Sequence, residues 1–104
     1  MKINVYLDDM RTPKSVRRIG NEDVEIGDPR WVITRTIEDT KVLLLAGIVN
    51  HMSLDHDLGP GDTGYDLVTW MESENVWPAG SIQVHSANPV GKQNMLAVLA
   101  KNNR

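Results

Sequence analysis

Cysteine is absent from the 104 residues, which excludes disulfides and thiolate metal ligands and suits a reducing compartment. Long apolar runs are missing too. None nears the roughly 18 residues that a membrane-spanning helix needs, so no membrane association is expected. The opening MKINVYLDDM turns acidic too early for a secretory leader. Basic charge is not in excess: 11 Lys and Arg stand against 14 Asp and Glu, with a pI of 5.5, which argues against a sequence-blind nucleic-acid coat. Repeats and low-complexity tracts are lacking as well. What is present is a 40% hydrophobic chain, enough for one soluble domain over residues 1–104, expected in the cytoplasm.

Periodicity supplies the elements. Lys2–Leu7 alternates, with Ile3, Val5 and Leu7 on one face, and stops at Asp8-Asp9. Thr12-Pro13 predicts a short helix, with Arg17 and Arg18 on its solvated side and Glu22, Asp23, Glu25 and Asp28 in a following loop. Trp31–Arg35 is a second strand. Thr36 caps the next helix, with Asp39 three residues on, and Gly47 ends it. Ile48–Leu54 is a third strand, interrupted by Asn50 and His51 and closed by Asp55-His56-Asp57. A helix over 64–74 follows, with Thr63 and Asp66 at its cap and Leu67, Trp70 and Met71 on one stripe. Ser81–Ser86 is a fourth strand, and Asn88-Pro89 opens a last helix carrying Met95, Leu96 and Leu99 on one face. Trp31, Trp70 and Trp77 are read as core.

Strands alternating with helices predict a parallel sheet with right-handed crossovers, in the order 2-1-3-4 and with the last three helices on one face. Lys2, Asn4 and Tyr6, with Ser81, Gln83 and His85, make the other face polar. That face is expected to be open in part or to meet a second subunit as a homodimer.

Both acidic pairs fall at carboxyl ends of strands, where such sheets bind ligands. Removing Asp8, Asp9, Asp55 and Asp57 from the fourteen acids leaves ten against eleven bases, so these four concentrate the negative charge. Any one of them could merely cap a turn. Together they would repel one another unless a hard cation such as Mg²⁺ (or Mn²⁺) were shared. The helix after Asn88 turns its amide end toward the same rim, where Ser86, Asn88, Gly91, Lys92 and Arg11 are candidates for holding a phosphate. His85 and His56 are candidate acid–base groups beside Asp55, and His51, mid-strand, reads as structural. Asp55-His56-Asp57 also fits a D-x-D phosphatase motif poorly, because that motif belongs after the first strand.

The strings LDD, SLDHDLG, TGYD and HSANPVG resemble the cyclic-phosphate processing receiver family, a divergent branch of response-regulator receivers often found alone and in phage genomes. The resemblance runs from about Asp8 to Leu99. It implies an α/β receiver-like (flavodoxin-like) fold with a truncated four-stranded parallel sheet. By position, Asp8 and Asp9 match the receiver metal acids, Asp55 the phosphoacceptor and Ser86 the phosphate-touching hydroxyl. The fifth strand and its Lys are lacking from the sequence, while His56, Asp57 and His85 are additional, which favours hydrolysis over phosphorelay. The implied activity is metal-dependent phosphoesterase chemistry on cyclic phosphates in RNA ends or nucleotides, in a bacterium or a phage-infected bacterium. The alternative is a non-catalytic module that binds a phosphorylated ligand.

Overall fold

The structure, a computed structural model, describes residues 2–9, 16–19, 22–25 and 30–104. Strand β1 (Ile3–Leu7) lies inside a parallel sheet between β4 (Trp31–Thr34) and β5 (Val49–Leu54), and β6 (Ile82–Val84) closes the far edge. Flanked on both sides, β1 buries Val5, Tyr6 and Leu7. The order β4-β1-β5-β6 is the expected 2-1-3-4 once two further strands, described below, are left out of the count.

Helices α1 (Ile37–Leu45), α2 (Gly64–Glu74) and α3 (Pro89–Lys101) share one core with Val5, Leu7, Met52, Leu54 and Val84. Their ends follow local chemistry. The Thr36 side chain accepts the Asp39 N–H at 3.2 Å, and Gly47 takes φ +74° just past α1. At α2, the Thr63 N–H donates to Asp66 Oδ2 at 2.7 Å. Asn88 Oδ1 accepts the Gly91 N–H at 2.9 Å to open α3. Met95 and Leu99 are buried as expected, but Leu96 faces outward and Val98 takes the core position. No helix among the described residues is long and apolar enough to cross a membrane.

The irregular third strand has a physical cause. Ile3 pairs with Val49 but Val5 with Met52, so β5 carries one extra residue at Asn50-His51. The amide set off by this bulge is not orphaned, since the His51 N–H donates to Asn4 Oδ1 at 3.0 Å. His51 Nδ1 in turn accepts the Ser81 N–H at 2.9 Å, a structural role.

Two expectations change. Val16–Ile19 (β2) and Glu22–Glu25 (β3) form a separate antiparallel pair. Arg17 and Arg18 therefore lie on a strand and not on a helix face, and Glu22, Asp23 and Glu25 lie on its partner and not in a loop. The helix expected at Thr12-Pro13 lies outside the described residues. The polar face of the main sheet is also less open than expected: Asn4, Tyr6, Ser53 and His85 are buried within the single chain, with Trp31 joining Tyr6 in a second small cluster. Lys2 on the same face stays exposed, and Ser81 and Gln83 are half-buried.

Candidate metal and phosphate site

Asp8, Asp55 and His85 each stand one residue past a strand end, yet each keeps its backbone tied to the sheet. The Asp8 N–H donates to Thr34 O at 3.1 Å, Asp55 N–H to Leu7 O at 3.0 Å and His85 N–H to Leu54 O at 2.9 Å. Three adjacent parallel strands thus deliver three side chains to one point. One ligating atom from each lies within 4.8 Å of the others, and all three residues are buried.

His85 holds its place through both ring nitrogens. Nε2 lies 3.2 Å from Asp8 Oδ2, and Nδ1 lies 2.6 Å from Ser53 Oγ. The Tyr6 ring stacks on the imidazole, with centroids 4.2 Å apart and planes 11° off parallel. Ser53 was not singled out from the sequence. Its signal was the same alternation that places Tyr6 and His85 on the polar face, since Ser53 pairs with Tyr6 across the ladder.

Two carboxylates and an imidazole fit a divalent cation, which relieves their mutual desolvation and repulsion. An imidazole nitrogen among oxygens favours Mn²⁺ or a softer ion over Mg²⁺, which prefers oxygen ligands. Of the four aspartates expected to share the cation, the structure brings Asp8 and Asp55 together with His85. Asp9 is half-buried and faces the loop at 58–62: a Cβ on Gly59 would lie 3.4 Å from its Oδ2. Asp57 stands apart, its side chain 63% exposed.

Asp57 belongs to a second cluster on the rim. Its Oδ1 lies 2.8 Å from His56 Nδ1 and accepts from Asn88 Nδ2 at 3.3 Å. These bonds, that from His56 first and from Asn88 second, hold the Asp57 carboxyl below its usual 3.8. The His56 ring lies over the first turn of α3, where any Cβ on Gly91 would meet it at 2.4 Å. Gly91, expected beside the phosphate, instead makes room for this imidazole.

The helix end is less open than its sequence suggests. Pro89 has no N–H, while the Gly91 and Lys92 amides donate to Asn88 Oδ1 and Asn88 O. Ser86 Oγ accepts the Asn88 N–H at 3.1 Å and so shapes the turn into α3. Lys92 is half-buried on that first turn. Arg11 lies outside the described residues.

Residues 3–101 match the family described as the cyclic-phosphate processing receiver domain. No curated protein and no solved structure matches the chain.

Proposed function

The chain belongs to the cyclic-phosphate processing receiver family, and from that premise we propose that it is a metal-dependent phosphoesterase that opens cyclic phosphates of nucleotides or RNA ends. The observation that carries this reading is the buried convergence of Asp8, Asp55 and His85 within 4.8 Å. A phosphorelay site needs a phosphoacceptor and a nearby cation, but not an imidazole fixed on both nitrogens.

In this reading Asp8, Asp55 and His85 hold the cation, with Asp9 beside them. When bound, the cation supplies positive charge to the phosphate oxygens and acidifies water. Water oxygen bonds to phosphorus and gives up one proton, the ring P–O bond breaks, and the departing oxygen takes one proton to become a hydroxyl, so one water is consumed overall. His56 as imidazolium is the proton donor, and the proton released by water restores it. Its Nδ1 is held by Asp57, which fixes the tautomer and leaves Nε2 for chemistry. His85, expected to fill that role, serves in this reading as a ligand: with Ser53 Oγ accepting from Nδ1–H, the Nε2 lone pair turns to the cation beside Asp8. Ser86, Asn88 and Lys92, with Arg11, are proposed to surround the phosphate.

Purified protein with Mn²⁺ or Mg²⁺ is expected to convert 2′,3′-cyclic nucleotides to monoesters. Asp55→Asn should abolish turnover, and His56→Ala should slow it by about 10²–10⁴-fold while leaving metal affinity intact. Metal-dependent binding of the same compounds without ring opening would replace this reading with that of a non-catalytic module.

A further inference from the structure

A cleft of about 250 Å³ runs beside the acids, between the first turn of α1 and the loop joining β5 to α2. Arg35, Ile37 and Glu38 line one wall, and Leu58, Pro60 and Asp62 the other. Both walls reach the acidic site. The Arg35 Nη1 donates to the Asp8 carbonyl at 3.1 Å, and Gly59 in the same loop abuts Asp9 Oδ2. The cleft therefore lies next to the acids, within reach of a substituent on a phosphate bound there.

We propose that the cleft binds the base of the nucleotide, and that its chemistry selects guanine. The inference rests on the phosphoester reading above and names the substrate class of that site. The cleft is smaller than the roughly 300–1,000 Å³ typical of drug-sized ligands, which suits one ring system and not a second nucleotide. Leu58 and Pro60 give apolar surface for a flat ring, and an Arg plane is a common stacking partner for bases. Glu38 and Asp62 bring two exposed carboxylates, which disfavour a further phosphate and accept from N–H donors. Guanine presents adjacent donors, N1–H and N2–H₂, to a carboxylate, whereas uracil offers a single N–H between two carbonyls.

The test is calorimetry on the whole chain with Mn²⁺, using 2′,3′-cyclic GMP, 2′,3′-cyclic UMP, glycerol cyclic phosphate and the nucleosides guanosine and uridine. The guanine nucleotide should bind roughly tenfold to a hundredfold tighter than the uracil one, the range a good bidentate contact gives. Glu38→Gln combined with Asp62→Asn should erase that preference and leave glycerol cyclic phosphate binding unchanged. Equal affinity for both bases, or a preference surviving in the double variant, overturns the proposal. If no cyclic phosphate binds, the phosphoester reading fails separately. The nucleosides then still decide the matter: guanosine bound by the native chain and lost in the double variant supports the base site, and neither nucleoside bound overturns it.

Discussion

Ser53 is small and buried, and its hydroxyl can serve His85 in two ways. It can donate to Nδ1, which leaves Nε2–H for Asp8, or accept from Nδ1–H, which frees the Nε2 lone pair for a cation. Outer partners of metal-binding histidines typically contribute about 10–100-fold to affinity. Ser53→Ala is therefore expected to weaken Mn²⁺ binding by that order, measured calorimetrically, with the fold unchanged by circular dichroism. Unchanged affinity would show that His85 is not a ligand.

Asp57 offers a pH test at the same scale. Its folded-state carboxyl titrates below 3.8, chiefly through His56 and then Asn88. A depressed carboxylate contributes stability above its unfolded value, and that contribution is lost as pH falls through the folded value. The His56–Asp57 pair should accordingly persist across neutral pH and come apart only in acid. In His56→Ala or Asn88→Ala, the Asp57 carboxyl resonance should titrate closer to 3.8. An unmoved midpoint would mean that the rim cluster does not form in solution.

Among the elements, the tightest joint lies where α2 meets β5. The Gly64 N–H donates to His56 O at 2.9 Å, and a Cβ at Gly64 would come within 2.0 Å of the Asp55 carbonyl. That clash is against backbone, so it cannot be relieved by a rotamer change. Gly64→Ala should cost about 1–3 kcal/mol or more, read as a lower melting temperature, and should weaken metal binding by displacing Asp55. An alanine variant with native stability would show that α2 can shift freely.

The three helices and four parallel strands were legible because each carries its own signal: Thr36 and Thr63 at caps, Asn88-Pro89 at a start, and alternation in Lys2–Leu7. The β2–β3 pair was not, although Gly20-Asn21 between two four-residue runs is a hairpin signature. Charge blocks in that stretch mask its strand period. The meeting of Asp8 and Asp55 was readable because strand ends converge in a parallel sheet. The exposure of Asp57 was not, because only the turn after Asp55 decides whether a carboxylate faces in or out. His85 was visible as a polar residue at a strand end, but its engagement at both nitrogens depends on the β5–β6 register, which sequence does not specify.

For the molecule as a whole, a ligand that binds only the native state stabilises it by mass action, about 2.7 kcal/mol at a hundredfold excess over Kd. In a chain of this size each kcal/mol is worth roughly 4–8 °C. Saturating Mn²⁺ should thus raise the melting temperature by roughly 10–20 °C, and Asp55→Asn should remove most of the shift. Equal shifts in both proteins would place the cation elsewhere.

The backbone ties at Asp8, Asp55 and His85 bear on kinetics as well as geometry. All three side chains lie beneath the surface, and each is anchored to a neighbouring strand. A cation lodged among them would be held by buried ligands, so its departure is expected to follow local opening of the strand ends. Removal by a chelator would then follow a clock set by the protein, largely indifferent to chelator concentration. The rim formed by His56, Asp57 and Asn88 would meanwhile exchange substrate and product freely. One sheet edge would in this way host a resident that stays through many turnovers and visitors that do not.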